Sequence, residues 1–435
     1  MATTQISTSN ALAVKAFSVA LFAATQRQPT LMKNLTGPAP QQSDAEMKLK
    51  GQTSPDYPVV RVTDLSSGPG DKVSVDLINI IGGKPIMGDR NAEGKGQKLS
   101  FSSMDVAIDL STQVVDAGGK MTQQRSKHNL RRLALAQLGS YMPRMETQSM
   151  MVHMAGARGS QQGSDWVIPL QFTSGTSTAD DPDFSEIMVN SVKAPTYNRH
   201  FVCDSTNTLV QGGAQLGSID STDILSLEAI DTLRTYIDDL QFKPQPIRIS
   251  DDPAADDEPL YVLLVTSRQW NSILTKSSGN NWRTFLQNAW VRKSYGTKHP
   301  LFNGEPGLWN GILVKKIDRA IRFLPGDYCN IITSANRYTG TESAQQINAS
   351  LTAGYAVDRG ILLGAQAIAN VYGKNKSSDY YYGWSENWYN FKRNLEVAGE
   401  SMSGKAKIRF NVPDGLGNSE PTDHGVLVID SAVRL

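Results

Sequence analysis

Two hydrophobic periods mark out the chain. Val73, Val75 and Leu77 alternate with Ser74 and Asp76, and Met104, Val106, Ile108 and Leu110 alternate with Asp105, Ala107 and Asp109. A period of two sends successive side chains to opposite faces, so both stretches predict half-buried strands. Between them runs GGKPIMGDRNAEGKGQK, glycine-rich and charged, which predicts a long loop projecting from the two strands. After Gly118 and Gly119 the period changes. Leu130, Leu133, Leu135, Leu138, Tyr141 and Met142 recur at three- and four-residue steps, with Arg131, Arg132 and Gln137 on other faces. That spacing predicts a helix from Thr122 to Met142, about 30 Å long at roughly 1.5 Å per residue. Pro143 removes a backbone donor and crowds the preceding turn, so it should bend the helix or restart it. Helical character then resumes through Met145, Met150, Met151 and Met154.

Further along, Leu227, Ile230, Leu233, Ile237 and Leu240 form the stripe of a second helix, which Asp223 or Thr222 can cap. LYVLLVT (260–266) is a near-continuous apolar run, as expected of a strand covered on both faces. Gly311 to Val314 and Val426 to Ile429 predict two more central strands, and the segments around Trp270 to Leu274 and Trp282 to Ala289 are helical. Residues 156 to 221 carry no regular pattern. Ahead of all this, Leu12, Phe17, Leu21 and Phe22 give an amphipathic arm whose apolar face needs a partner, either the body of the chain or a neighbouring copy. The fold class is therefore α+β, a mixed α/β body without internal repeats.

Composition narrows the function more than it identifies it. At 435 residues the chain predicts about three lobes. With 43 basic against 42 acidic residues, bulk charge drives no nucleic-acid binding through counterion release. Cys203 and Cys329 stand far apart and predict buried thiols rather than a disulfide framework. The run Ala11 to Ala24 has no basic residue before it and is interrupted by Lys15, so it does not predict a signal peptide. No run reaches the length of a membrane span, and no membrane partner is expected.

Candidate chemistry fails on spacing. GDRNAEGKG (88–96) has five residues between its flanking glycines, ends on Gly96 after Lys95 and precedes a strand, whereas a phosphate loop opens a helix and supplies a hydroxyl after its lysine. His128, His153, His200, His299 and His424 form no pair at metal-ligand spacing. Pro253 and two alanines break up the acidic run SDDPAADDEP, which predicts a solvated loop rather than a calcium site. No G-x-S-x-G elbow is present. The aromatic run YYYGWSENWYNF (380–391) has Glu386 within it and only Lys392 and Arg393 beside it, which favours core or subunit-interface packing over base stacking. No catalytic residue, cofactor or metal is expected.

Taken jointly, GDRNAEGKGQKLSFSSMDVAIDL, VVDAGGKMTQQR with its helix, LFNGEPGLWNGILV, RGILLGAQAIANVYG and WSENWYNF resemble, in order, the major capsid proteins of podoviruses in the N-four-like family. The resemblance runs from about Ala11 to the C-terminus. It implies the Hong Kong 97-type capsid fold, in this chain an N-terminal arm over 1–57, an extended loop with flanking strands over 58–115 and a peripheral domain with a spine helix over 116–240. An axial domain over 241–345 and a return to the peripheral domain over 346–435 complete it. The implied work is self-assembly into hexamers and pentamers of an icosahedral head enclosing double-stranded DNA, with assembly in the host cytoplasm. Portal, scaffolding and decoration proteins are the further partners, and the DNA contact is weak and non-specific.

On that resemblance, contacts between subunits fall to Lys84, Asp89, Arg90, Glu93, Lys95 and Lys98 of the extended loop, to Arg125, Arg131 and Arg132 of the spine helix, and to Leu12, Phe17, Leu21 and Phe22 of the arm. No scaffolding domain stands ahead of the arm, so propeptide removal is not expected, nor is a lysine-to-asparagine crosslink. Two rivals remain: a cellular nanocompartment shell of the same fold, and a hydrolase whose nucleophile and base are not visible in sequence.

Overall fold

The computed structural model describes residues 35–37, 52–63, 71–78, 86–87, 93, 101–120, 130–163, 166–172, 179–248, 259–276, 307–317, 319–373, 381–413 and 418–435. Strand β1 (Val59–Val62) is followed by the hairpin β2 (Lys72–Ile78) and β3 (Phe101–Ala107), then by β4 (Asp109–Gly119) and helix α1 (Leu130–Ala155). Next come helix α2 (Pro182–Met188), strands β5 (His200–Cys203) and β6 (Leu209–Gln211), helix α3 (Leu227–Asp239), strand β7 (Tyr261–Thr266) and helix α4 (Ser267–Lys276). The middle of the chain holds β8 (Gly307–Trp309), β9 (Ile312–Ile317), β10 (Ile321–Phe323), β11 (Tyr328–Ile331) and β12 (Ser343–Gln346). It closes with β13 (Tyr355–Leu363), β14 (Ile368–Tyr372), β15 (Tyr382–Tyr389), β16 (Asn394–Lys407), β17 (Arg409–Pro413), β18 (Ser419–Asp423) and β19 (Val426–Arg434).

Two sheets organise these elements. The eight-stranded central sheet runs β6-β5-β19-β13-β7-β9-β8, with β10 also on β13. Its strands are apolar on both sides because both sides are covered. Along β7, Val262 and Leu264 enter one core with Met150, Met151 and Met154 of α1. Tyr261, Leu263 and Val265 enter a second core with Leu227, Ile230, Leu233 and Ile237 of α3 and Ile273 of α4. The run 260–266 thus packs as its hydrophobicity predicts. The second sheet runs β1-β14-β16-β15 with β4 on the other edge of β16, and one face of its long β4–β16–β15 ribbon lies under α1.

Helix α1 links the sheets. In its first half only one stripe is buried, and Ala134, Leu138 and Met142 pack on Ala117, Tyr382, Trp384, Leu395 and Val397. Each large apolar side chain buried here contributes roughly 1.5–3 kcal/mol. Contact is close because β16 offers Gly399, where a Cβ would meet Met142 Cε at 3.2 Å. From Glu146 onward almost every residue is buried. The helix spans about 39 Å at roughly 1.5 Å per residue. It ends where Gly156 takes a left-handed φ of 66°, with its amide on the Val152 carbonyl.

Several expectations change. The helix continues through Pro143 to Ala155 without restarting, since packing on both halves outweighs one lost hydrogen bond. Its predicted start, 122–129, lies outside the described residues, as do 282–289 and the acidic run 250–258. The cap of α3 is Ser226, whose side chain accepts from Ala229 N at 3.1 Å, and not Asp223 or Thr222. Met104 to Leu110 is two strands that break at Ile108. The break reverses the alternation, so Leu110 is exposed while Val106 is buried. Residues 346–435 divide between both sheets, because β13 and β19 pair in the central sheet while β14, β15 and β16 pair in the other. Residues 156–221 supply α2, β5 and β6.

Candidate self-assembly surface

The alternating strands pair as their pattern predicts. β2 and β3 form an antiparallel hairpin from Lys72 opposite Ala107 to Ile78 opposite Phe101, so the glycine-rich loop 82–98 leaves from its far end. The root of the hairpin is held tightly. Asn190 Oδ1 accepts from Ala107 N at 2.9 Å, while its Nδ2 donates to Ala107 O at 2.9 Å and to Lys405 O at 3.1 Å. The preceding Val189 takes a φ of 61°, strained for a β-branched residue and sustained only by its surroundings. Gly404 completes the root, since a Cβ there would lie 1.9 Å from Ala107 O.

Of the loop candidates, Glu93 is exposed, and Lys84, Asp89, Arg90, Lys95 and Lys98 lie outside the described residues. Leu12, Phe17, Leu21, Phe22 and Arg125 do so too. Arg131 turns toward its own sheet, where its Nε donates to Glu386 Oε1 at 2.6 Å and Trp384 Nε1 donates to the same oxygen at 3.1 Å. Arg132 is exposed on the outer side of α1. The structure therefore brings the root of the loop and the helix onto one body. Arg131 is tied within the chain.

Charge is buried in quantity, and three buried carboxylates hold cationic partners. In the central sheet Asp430 accepts from Arg359 Nε at 2.8 Å and Nη2 at 2.7 Å, with His200 Nε2 at 2.7 Å. Burial raises the Asp430 carboxyl, but Arg359 and His200 outweigh it and hold it at about 2. Arg359 Nη1 also donates to Ala155 O at 3.0 Å, which satisfies a carbonyl at the C-terminal end of α1. Beside it Asp358 accepts from Arg322 at 2.6 and 2.8 Å and from Thr266 Oγ1 at 2.7 Å. A third group joins Asp423 to Arg409 at 2.7 Å and Lys407 at 2.9 Å.

These groups hold elements together, and Arg409 of the third also lines an open cleft of about 660 Å³ with Asp180, Lys193 and Glu342. His200 is pushed below the usual histidine range by burial, and His153 to about 3 by burial and by Lys405 and Lys407. Cys203 and Cys329 are free and buried, and burial raises both thiols away from the reactive thiolate. Among the described residues, no cluster of His, Cys, Asp and Glu could hold a metal ion.

The aromatic run 380–391 divides in two. Tyr382 and Trp384 are core residues under α1, and Tyr382 donates its hydroxyl to the buried Glu146. Phe391, at the turn into β16, is 97% exposed. Asn390, Phe391 and Lys392 have consecutive φ values of 51°, 55° and 60°, a left-handed run costing about 1–2 kcal/mol per residue. By residue type the whole run predicts one packing unit. No signal in the residue types distinguished its tip.

A family model described as phage capsid protein matches residues 5–435. Comparison with curated protein sequences finds no match. Among solved structures, the capsid of Ralstonia phage GP4 superposes with a TM-score of 0.68 at 22% identity, covering 94% of this chain and 92% of that one. The cyanophage Pam1 capsid gives 0.58 at 15% identity over 100% of both chains. The acid-stable capsid of Helicobacter pylori bacteriophage KHP30 gives 0.52 at 12%, covering 87% of this chain and 88% of that one.

Proposed function

The chain belongs to the phage capsid protein family and is a structural protein of the phage head shell, with a Hong Kong 97-type fold, and from that premise we propose how it builds the shell. It assembles into hexamers and pentamers of an icosahedral head enclosing double-stranded DNA. The observation that carries this reading is the family match along nearly the whole chain, 5–435, which leaves no large segment for a different activity. α1 with its sheet serves as the peripheral domain and the eight-stranded sheet as the axial domain. The hairpin β2–β3 carries the extended loop. Lys84, Asp89, Arg90, Glu93, Lys95 and Lys98 of that loop dock on Arg132 of a neighbouring α1 and on Arg125 in the chain ahead of it. The arm residues Leu12, Phe17, Leu21 and Phe22 cover a neighbouring copy or the chain's own body.

Head-to-tail contacts of modest size close into rings, and a shell sums many of them. A net charge of +1 suits a container whose DNA must leave again, because a strongly cationic lining would bind it tightly. Portal, scaffolding and decoration proteins are its further partners, and assembly takes place in the host cytoplasm. Neither the nanocompartment nor the hydrolase is favoured by the family match.

Electron microscopy of the purified chain tests the reading. Large shells of hexamers and pentamers are expected, and a monodisperse small oligomer under all assembly conditions would overturn it. Charge reversal at Asp89 or Arg90 should impair shell formation, and unchanged assembly would remove the loop from the contact.

A further inference from the structure

The β4–β16–β15 ribbon has a projecting aromatic at one end and a groove at the other. Asn394 pairs with Gly119 near the first end and Ser403 with Asp109 at the second. The interval along β16 is about 30 Å at roughly 3.3 Å per residue. At the first end Phe391 is almost wholly exposed on its left-handed turn, beside the exposed Lys392 and Arg393. At the second end β4, α1 and α2 border a groove of about 330 Å³ whose lining includes Tyr141, Met145 and Ile187. Asp109 and Glu186, both exposed, also belong to it. A large apolar side chain held out in water by a strained turn contributes nothing to its own monomer.

We propose that Phe391 of one copy seats in this groove of a second copy, with Lys392 and Arg393 against Asp109 and Glu186. Three features commit the occupant to a second copy of this chain. The groove sets Tyr141, Met145 and Ile187 among polar residues, and its volume of about 330 Å³ leaves room for an aromatic ring. The exposed charges flanking the ring, Lys392 and Arg393, are opposite in sign to the exposed ones at the groove, Asp109 and Glu186, while Lys405 in its lining is buried. Ring and groove also sit at opposite ends of one ribbon, so a copy does not fill its own groove, and the contact is head-to-tail and repeats. An aromatic anchor in a desolvated pocket with a charged rim is the arrangement in which interface energy concentrates. The inference rests on the shell-forming reading above and names one of its contacts.

The test is site-directed crosslinking of the full chain. Both native cysteines are buried, so the background is silent. The double variant Phe391→Cys/Ile187→Cys, assembled and treated with a short bis-maleimide, should give a ladder of covalent oligomers, while each single variant gives none. Phe391→Ala should raise the threshold concentration for assembly about ten-fold, and Phe391→Trp should restore it. Shells that form from the double variant without a ladder would overturn the contact and leave the shell-forming reading standing. Crosslinked dimers from Phe391→Cys alone would also overturn it, because ring would then meet ring. If the unmodified chain forms no shells under any condition, the reading it rests on fails instead.

Discussion

The two sheets solve burial in different ways. The central sheet is covered on both faces, and its strands are hydrophobic at nearly every position, with β7 and β13 feeding separate cores from alternate residues. It also carries charges inside, each answered by a partner, as Asp430 is by Arg359 and His200. The ribbon packs one face on α1 and leaves Leu110 and Val114 of β4 exposed on the other. Such asymmetry separates two tasks. A sheet closed on both sides holds the monomer together by itself, whereas a one-sided ribbon leaves surface for other copies.

Perturbing the buried pair should break the comparison most sharply. Arg359→Leu strands Asp430 in the core and should lower stability by about 3–5 kcal/mol in denaturant unfolding. Leu138→Ala tests the ribbon's covered face and should cost about 2–5 kcal/mol, while an effect well below 1 kcal/mol would mean the helix is not bound there. Acid distinguishes the regions differently. His153, buried in α1, is held neutral with its pKa lowered from 6.5 to about 3 by burial and two lysines. The unfolded chain therefore takes up a proton that the folded chain refuses. The stability that His153 contributes is present above pH 6.5 and is lost as pH falls from 6.5 toward 3. Between pH 6.5 and 4.5 the loss is roughly 2–3 kcal/mol, and His153→Gln should flatten the unfolding profile by about 1.4 kcal/mol per pH unit.

Smaller effects sharpen the account of the ribbon. Lys392→Gly relieves a left-handed residue on an exposed turn and should raise thermal stability by about 1 kcal/mol. Arg131→Gln should cost about 0.5–1 kcal/mol, since Arg131 is part-exposed although Glu386 is not. A loss near that of Arg359→Leu would show that the helix pair acts as a buried one.

What sequence could show follows from the same contrast. Val73 and Val75 announce their hairpin because they are half-buried while Lys72, Ser74 and Asp76 beside them are exposed, so alternation survives. The apolar stretches 260–266 and 426–429 announce central strands because both faces are dry. Pro143 does not restart the helix, because a local rule for isolated helices yields to packing on both halves of α1. Arg359, Asp430 and His200 lie far apart in the chain, and the register of β13 on β19 brings the first two face to face. No local pattern encodes that pairing. Phe391 is aromatic like the buried Tyr382 and Trp384, and it differs in lying within three consecutive left-handed residues, Asn390 to Lys392. Apart from Ile86, Met87 and Glu93, the charged loop lies outside the described residues, as do the arm residues Leu12, Phe17, Leu21 and Phe22 expected to carry contacts.

The bond from Arg359 to the last carbonyl of α1 has a mechanical consequence. A closed shell under load strains its wall, and each tile must carry that load from rim to centre without shearing. α1 is the stiff member running between the two sheets, and its end is riveted to the interior of the stronger one through a charged side chain that is itself locked at Asp430. Force entering at the ribbon therefore passes along the rod into a sheet braced on both sides. Failure under tension should begin at the ribbon, where a single layer of packing holds the rod, before it reaches the rivet.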